Sequence, residues 1–222
     1  EMLSMAGERG IHVLPILADI FQGRTLREKW RDFKLSRALR KSGARVFSNH
    51  TLNASRSMVK KLGCDPTRVV PWDWGPVPTG GDAKPSMGDP SAPRLLFVGS
   101  VREDKGVGEI IDAVKLLRAE GIAATAQIAG PGDLELFQAR IDRQGLGDSV
   151  TLLGSVPNGK ARELMRQQDI VIVPSWHSYP EGLPNTIYEA LASRSPLIMS
   201  DHPAFRGRLQ PNQDCLVFKE RD

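Results

Sequence analysis

Two glutamates are the first candidates for chemistry in this sequence. Glu181 and Glu189 lie eight positions apart in YPEGLPNTIYEALASRSP, with a glycine, a proline and an asparagine between them. The apolar run IVIVP (170–174) predicts a buried strand before them, and residues 184–193 predict a helix. The pair therefore follows the carboxyl end of a strand, where open parallel sheets bind their ligands.

The start of this predicted helix suits an anionic ligand. Gly182 allows close approach of the backbone, and Pro184 suits a first helical position. Helix-start N–H donors are expected at Leu183, Asn185 and Thr186. The last two residues add side-chain donors, and Glu189 could accept hydrogen bonds from a ribose diol. The simpler explanation is that acids near a helix N-terminus gain about 0.3–1 kcal/mol from the helix dipole alone.

A second candidate site lies in VGSVREDKGVGEII, residues 98–111. Ser100, Arg102 and Lys105 occupy a predicted loop between a strand and a helix, again at the carboxyl end of the strand. The two cations could neutralise a diphosphate, although ordinary charges in a solvated loop are the simpler explanation. The P-loop pattern GxxxxGK[ST] is absent.

Strands and helices alternate along the chain. In the first part, strands are predicted at 11–17, 45–48 and 68–71, and helices at 24–41 and 51–62. Beyond residue 93, strands are predicted at 94–99, 125–130, 150–154, 170–174, 196–200 and 215–219, and helices at 106–121, 133–144, 159–168 and 184–193. Continuous apolar strands that alternate with amphipathic helices predict an α/β fold with parallel, doubly wound, Rossmann-like sheets.

A change in composition divides the chain. Residues 71–93 contain six prolines and four glycines, a density that neither a helix nor a sheet ladder tolerates. We therefore predict the terminal part of one Rossmann-like domain at 1–75, a linker at 76–93 and a second Rossmann-like domain at 94–222. The first domain lacks a clear first strand–helix unit and the second stops directly after a strand, so we expect a fragment, incomplete at its C-terminus.

Composition narrows the classes of protein. Hydrophobic residues make up 40% and charged residues 25% of the 222 residues, as in soluble globular proteins. No apolar run approaches the roughly 20 residues of a membrane span, and no secretory core is present, so a cytoplasmic location is expected. Cys64 and Cys215 lie far apart, which favours a reducing compartment. The net charge of +4 permits anionic ligands, and no nucleic-acid-binding motif is present.

One predicted helix is strongly basic. The segment RTLREKWRDFKLSRALRK, residues 24–41, contains eight basic and two acidic residues, with Leu26, Trp30, Phe33 and Leu39 among them. It could make peripheral contact with anionic lipid at the inner membrane face, which would suit a lipid-linked acceptor. The alternative is a solvated face over a core stripe.

Four motifs in order resemble a known family. They are VGSVREDKGVGEIIDA, IAGPGDLE, LLGSVP and IVIVPSWHSYPEGLPNTIYEALASRSPLIMSD. Together they resemble the C-terminal domain of family-4 glycosyltransferases of the GT-B fold, over about Arg94 to Asp222. The E-x7-E motif with GLP inside it is the most specific part. Residues 1–75 resemble, less closely, the last portion of that family's N-terminal domain.

The resemblance implies an activity and the residues that perform it. It implies retaining, metal-independent transfer from a nucleotide-diphosphate sugar to a glycan or lipid-linked glycan, as in polysaccharide biosynthesis, with no cofactor besides the donor substrate. Lys105, at the diphosphate, and Glu181, at the donor sugar, are the implied catalytic residues. Glu189 would hold the ribose, and Leu153 to Val156 would pass the nucleobase. The other implied donor-binding residues are Ser100, Arg102, Gly182, Leu183, Pro184, Asn185 and Thr186.

Two positions depart from the family pattern. Ser100 stands where the family often has arginine, with Arg102 as a candidate substitute. On the acceptor side the family's histidine position falls on Ala18, which leaves Asp19 as the acceptor-side candidate. These departures keep open a nucleotide-sugar-binding module without transfer activity. A GT-B enzyme of another type, such as a sugar-nucleotide epimerase, is a third hypothesis, and the E-x7-E motif weighs against it.

Two other kinds of site fit the sequence less well. A glycoside hydrolase would hold two carboxylates about 5–10 Å apart across a sugar bond, whereas here one acid is predicted in a loop and the other in a helix. A metal site could be imagined from His177, Glu181, Asp201 and His202. No HExxH or similar ligand spacing exists, so no metal is expected.

Overall fold

The computed structural model describes residues 5, 8–72, 84, 88–182, 185–206 and 209–221. These residues fall into two compact units. The first comprises the described residues up to 72 with 180–182 and 203–206, and the second comprises the rest. Within the described residues, no helix is both long and apolar enough to cross a membrane.

The first unit contains a three-stranded parallel sheet in the order β1-β2-β3. Its strands are β1 (Ile16–Leu17), β2 (Phe47–Asn49) and β3 (Val69–Pro71). Its helices are α1 (Leu26–Lys41) and α2 (Leu52–Ser57), and α2 continues as a π-helical turn over Met58–Leu62. The small apolar core consists of Phe21, Leu39, Ala44, Phe47, Met58 and Leu62.

Helix α1 begins at a capping box. The Thr25 hydroxyl accepts a hydrogen bond from the Glu28 N–H at 3.1 Å, and the Glu28 carboxylate accepts one from the Thr25 N–H at 3.4 Å. On the buried face of the helix, the Ser36 hydroxyl donates to the Leu62 carbonyl at 2.6 Å. The buried face of α1 is therefore held partly by a polar contact.

The strand predicted at 11–17 is wrong over most of its length, because β1 covers only Ile16–Leu17. Ile11 and Leu14 are 55% and 51% exposed. In the described part of the sheet β1 pairs only with the three-residue β2, over Ile16↔Ser48 and Leu17↔Asn49. A three-residue strand cannot form hydrogen bonds with the backbone N–H and C=O groups of seven residues. Apolar content alone therefore predicted too long a strand.

The second unit contains a six-stranded parallel sheet in the order β6-β5-β4-β7-β8-β9. Its strands are β4 (Arg94–Val98), β5 (Thr125–Ala129), β6 (Val150–Gly154), β7 (Ile170–Val173), β8 (Leu197–Ser200) and β9 (Leu216–Phe218). Numbered within this sheet alone, the order is 3-2-1-4-5-6, which is that of dinucleotide-binding folds. The order reverses between β4 and β7, so the loops after these two strands flank the position where such folds bind ligands.

Four helices cover this sheet: α3 (Val107–Ala119), α4 (Leu134–Arg143), α5 (Asn158–Gln167) and α6 (Asn185–Ala192). Leu95 and Phe97 of β4 pack with α3 and α4 in the main apolar cluster. The intervening Leu96 is fully buried and points to the opposite face, because side chains alternate along a strand. The predicted elements of this unit agree with the structure to within two residues at each end.

The predicted linker, 76–93, lies mostly outside the described residues. Its described Gly88 donates its N–H to Asp169 Oδ1 at 2.9 Å. Asp169 also accepts hydrogen bonds from Nε and Nη2 of Arg94, both at 2.9 Å. These hydrogen bonds from Arg94 lower the pKa of Asp169 from 3.8 to about 2. The described end of the linker is thereby fastened to the first strand of the second unit.

Candidate functional site

The loop after β4 is fastened along its backbone to the loop after β5. The bonds run from Gly99 N–H to Ala129 O (2.9 Å), from Val101 N–H to Pro131 O (2.7 Å) and from Asp133 N–H to Val101 O (2.8 Å). A Cβ at Gly130, where φ is +148°, would lie 1.7 Å from the Gly99 carbonyl oxygen. The two loops can therefore approach this closely only because residue 130 is glycine, and Ser100 lies on a fixed backbone.

Lys105 ends the 3-10 turn Glu103–Lys105 and is only 9% exposed. Its ammonium lies 4.2 Å from the ring centroid of Tyr179, in the loop after β7. Gly106 follows with φ +74°, and a Cβ there would lie 2.3 Å from the Pro174 carbonyl oxygen. The loops after β4 and β7 therefore meet around this lysine, at the point where the strand order reverses.

Arg102 lies on the same loop but is differently engaged. Its guanidinium binds the Asp104 carboxylate through two hydrogen bonds of 2.9 and 3.0 Å, and its side chain is about half exposed. The hydrogen bond from Arg102 lowers the pKa of Asp104 below its ordinary value. A diphosphate at Arg102 would have to share the guanidinium with this carboxylate.

The loop after β7 is fastened to the loop after β4 and to α3. The Trp176 N–H donates to the Asp104 carbonyl at 3.0 Å. Its indole Nε1–H donates to the Glu109 carboxylate at 2.7 Å. The position of this loop is therefore set by the same turn that ends in Lys105.

Two histidines hold the remainder of this loop against the end of β8. The ring Nε2 of His177 lies 2.7 Å from Asp201 Oδ1, and Nδ1 lies 3.6 Å from a Glu220 oxygen. The ring Nε2 of His202 lies 3.0 Å from the Tyr179 carbonyl oxygen. Tyr179, whose ring faces Lys105, is therefore held in place by the contact between His202 and the Tyr179 carbonyl oxygen.

Helix α6 begins at Asn185, which is exposed. The Thr186 hydroxyl donates to the Val98 carbonyl at 3.0 Å and so ties the helix to the end of β4. That bond occupies the hydroxyl hydrogen, so the backbone N–H is the donor that Thr186 could offer a ligand. Burial raises the pKa of Glu189, further along the helix. The predicted residues Leu183 and Pro184 lie outside the described residues.

Glu181 and Gly182 group with the first unit and are described there. Glu181 is 7% exposed, and a Cβ at Gly182 would lie 2.7 Å from His50 Nδ1. Glycine is therefore needed beside His50. The prediction that these residues share a ligand with Lys105 stays a prediction.

The last two predicted positions lie at other strand ends. Val156 follows β6 by two residues and is half-buried. Asp19 forms an ion pair with Arg31 at 3.0 Å, and its carbonyl accepts a hydrogen bond from Asn49 Nδ2. The nucleobase and acceptor assignments of these residues stay predictions.

Neither the position of Tyr179 nor the anchoring bond of Thr186 was predicted from the sequence. No spacing rule identifies an aromatic ring that will stack on a lysine 74 positions earlier. The close contact between Gly130 and Gly99 could be predicted from the sequence, because glycines follow the apolar strands directly in FVGS and IAGPG. Within the described residues, no three metal-ligating His, Cys, Asp or Glu side chains are grouped as a metal site requires.

Comparisons with known proteins agree on one family. Residues 92–222 match the sequence model of the group 1 glycosyl transferases. The chain is 31% identical over 133 residues to the amylovoran biosynthesis glycosyltransferase AmsK of Erwinia amylovora, an alignment that covers 58% of this chain and 33% of the relative. The chain spans 33% to 41% of the length of the first curated relatives it matches.

Solved structures with similar folds cover nearly the whole chain. Anabaena Alr3699/HepE, in complex with UDP and glucose, matches with a TM-score of 0.72 and 15% identity, covering 99% of this chain and 61% of that one. The pneumococcal O-GlcNAc transferase GtfA, in complex with UDP and GlcNAc, matches with a TM-score of 0.67 and 17% identity, covering 91% and 39%.

Proposed function

The chain belongs to the group 1 glycosyl transferases and has the GT-B fold, and from that premise we propose that it transfers a sugar from a nucleotide-diphosphate sugar to an acceptor. The observation that supports this most is the position of Lys105. A buried ammonium lies at the carboxyl edge of the six-stranded sheet, beside the reversal of strand order. An ammonium at this edge could bind a diphosphate through charge-assisted hydrogen bonds.

The diphosphate end of the reaction is assigned to Lys105 and the start of α6. As the sugar–phosphate bond opens, the leaving diphosphate gains negative charge. Lys105 stabilises that charge, and the backbone N–H groups of Asn185 and Thr186 add helix-start donors. This positive charge is what makes a bound metal unnecessary in the proposed reaction. Arg102 contributes only by sharing its guanidinium with Asp104.

The sugar end is assigned to Glu181. Its carboxylate orients the donor hydroxyls and offsets the positive charge of the oxocarbenium-like sugar ring. Gly182, Leu183 and Pro184 present backbone to the sugar and phosphate, and Glu189 accepts hydrogen bonds from the ribose. Since burial raises the pKa of Glu189, the ribose contact weakens as falling pH protonates this carboxylate.

The acceptor is proposed to be a glycan or lipid-linked glycan, with retention of the anomeric configuration and with Asp19 on the acceptor side. The similarity to AmsK, which is named for amylovoran biosynthesis, supports the glycan acceptor. Retention and the role of Asp19 follow from the resemblance to family-4 glycosyltransferases. The reaction is proposed to take place in the cytoplasm, at the inner membrane face, where a lipid-linked acceptor would be reached.

Donor turnover by this chain tests the proposal. We expect one of a panel of UDP-, GDP- and ADP-sugars to raise the melting temperature of the chain, because a ligand that binds only the native state stabilises it. We also expect slow hydrolysis of that donor, with the released sugar in the donor's anomeric configuration when observed immediately by NMR. Hydrolysis should persist in EDTA.

Matched variants locate the activity. Glu181→Gln should abolish hydrolysis while the melting temperature changes little, whereas Glu120→Gln, at an exposed position, should hydrolyse normally. A thermal shift without hydrolysis in the complete protein would favour a nucleotide-sugar-binding module, since a chain that spans 33% to 41% of its relatives' length need not be active alone. Full hydrolysis by Glu181→Gln would overturn the assignment of that residue.

A further inference from the structure

One face of helix α1 exposes large apolar side chains. Leu26, Trp30 and Phe33 are 85%, 60% and 61% exposed. Their spacing of four and three residues places them on one line, about 10 Å long, along the helix. The opposite face is buried through Asp32, Ser36 and Leu39. The exposed line is therefore not part of the core of the described unit.

Basic side chains surround this apolar line. The exposed cations are Arg27, Lys29, Lys34, Arg37, Arg40 and Lys41. Lys34 places its ammonium 3.4 Å from the ring centroid of Trp30. The two acids of α1, a helix that is described throughout, lie elsewhere: Asp32 is on the buried face, and Glu28 accepts backbone N–H bonds at the N-terminal cap. The exposed face is therefore apolar and cationic, without a carboxylate.

The positive surface continues beside the helix. A shallow pocket of about 470 Å³ is lined in part by Lys29, Arg40, Lys60 and Lys61. Asp32 also lines it, but one oxygen of that carboxylate is engaged by Arg31 at 3.1 Å. Four cations thus border a space large enough for a phosphate group.

We propose that this face of α1, the basic-apolar face, binds the surface of an anionic lipid bilayer. Leu26, Trp30 and Phe33 would enter the boundary between headgroups and acyl chains, with the helix lying in the plane of the surface. The surrounding Lys and Arg side chains would extend to the headgroup phosphates, as long cationic side chains do at interfaces.

Charge favours an anionic bilayer over a second copy of the chain as the partner of the basic-apolar face. A two-fold symmetric contact would place the same cationic face against itself, and like charges held together oppose association. An anionic bilayer is complementary to both the cations and the apolar line. The inference deepens the proposed location at the inner membrane face, and vesicle binding can succeed or fail independently of donor turnover.

Vesicle co-sedimentation tests the inference. The chain should sediment with vesicles of phosphatidylcholine containing one third phosphatidylglycerol, and not with pure phosphatidylcholine. Raising the salt from about 0.05 M to about 0.5 M should weaken binding, because screening shortens the range of surface charge. The tryptophan fluorescence should shift to shorter wavelength with the anionic vesicles only, and this shift should be lost in Trp30→Ser, which keeps the other three tryptophans.

Two pairs of matched variants locate the contact. Lys34→Glu with Arg37→Glu should lower the partition coefficient by more than about tenfold, since each basic residue near an anionic surface is worth about fivefold. Lys115→Glu with Arg118→Glu makes the same change of charge at the same spacing on α3 and should lower the partition coefficient by less than about threefold, which is less than one basic residue contributes at the surface. Trp30→Ser with Phe33→Ser should release the chain, whereas Leu116→Ser with Leu136→Ser, at exposed positions of α3 and α4, should not.

Three results would overturn the inference. The first is equal sedimentation of the wild type with and without anionic vesicles. The second is equal loss of binding in the α1 and α3 charge variants, which would mean that net charge alone attracts the chain. The third is a dimer in sedimentation velocity that Trp30→Ser with Phe33→Ser dissociates without any vesicle binding by the wild type, which would assign the face to a second copy. Circular dichroism of each variant confirms that it is folded.

Discussion

Glycines after the strands of the second unit are closely packed, whereas two turn glycines of the first unit are not. In the second unit the loops after β4, β5 and β7 touch backbone to backbone, so that a Cβ at Gly130 or Gly106 would lie 1.7 or 2.3 Å from a carbonyl oxygen. In the first unit Gly10 and Gly63 also have positive φ, but nothing lies within 4 Å of a Cβ placed there. At Gly106 and Gly130 glycine thus permits close packing of loops, whereas at Gly10 and Gly63 it permits only a change of chain direction.

The two units also differ in the size of their apolar clusters. Among the described residues, the main apolar cluster of the second unit contains thirteen buried residues, and that of the first unit contains six. Both units also bury hydroxyl groups, such as those of Ser36 and Ser48 in the first and of Ser175 and Ser200 in the second. The strand-end loops of the second unit therefore rest on the larger apolar cluster.

The glycine contrast predicts the largest effect. Gly130→Ala should lower the free energy of unfolding by more than about 4 kcal/mol, since the new Cβ overlaps a backbone oxygen that cannot move without breaking the bonds between the loops. Gly63→Ala should cost about 1 kcal/mol, the strain of a left-handed conformation alone. Urea titrations followed by circular dichroism measure both, and equal losses would remove the distinction between the units.

Asp169 should give the next largest effect, through the pairing that fastens Gly88 and Arg94. Asp169→Asn should lower the stability by about 3 kcal/mol, because a buried carboxylate is replaced and Arg94 loses its partner. Since its pKa falls from 3.8 to about 2 on folding, its ionic stabilisation is present above pH 3.8 and lost as pH falls through 2. Urea titrations at pH 7, 4 and 2 should show a wild-type advantage that shrinks with acid, and Asp148→Asn, at an exposed position, should show none.

The capping box at the start of α1 predicts a smaller effect in the first unit. Thr25→Ala removes the oxygen that accepts the Glu28 N–H and should cost about 1 kcal/mol. Thr25→Ser keeps that oxygen and should stay within about 0.5 kcal/mol of the wild type. Thermal unfolding distinguishes them, and the helix would not depend on its cap if the alanine variant melted with the serine variant.

The smallest predicted effect concerns the ring behind Lys105. Tyr179→Leu should weaken binding of UDP about two- to fivefold, since a cation over an aromatic ring is worth about 0.5–1 kcal/mol at a partly exposed site. Tyr179→Phe keeps the ring face and should bind almost as the wild type does. Similar affinities for the leucine and phenylalanine variants would show that the ring does not position the lysine.

The sequence predicted the second unit better than the first for a physical reason. Runs such as RLLFV and IVIV are buried on both sides in a six-stranded sheet, so apolar content and strand coincide. At Ile11 and Leu14 the same content meets no described neighbouring strand, and the strand prediction was wrong there. The resemblance to GT-B glycosyltransferases, drawn from four motifs, is confirmed by the family match over residues 92–222.

The candidate site was predicted only as residue types at strand ends. The sequence could place Lys105 after β4 but not its burial, which results from the 3-10 turn and from the loop after β7. It could not foresee that Arg102 pairs with Asp104 two residues on, or that the Thr186 hydroxyl is occupied by a backbone carbonyl. The first pairing depends on the conformation of one turn and the second on the distance between α6 and β4, and residue spacing in the sequence specifies neither.

Isothermal titration of UDP tests the central claim, that the strand-end edge around Lys105 binds the diphosphate of a nucleotide sugar. The wild type should bind, and Lys105→Met should bind at least about tenfold more weakly, because hydrogen bonds to a charged group are worth about 1.5–3 kcal/mol. Lys115→Met, which removes an exposed lysine of α3, should bind as the wild type does. Equal affinities for Lys105→Met and the wild type would contradict the account.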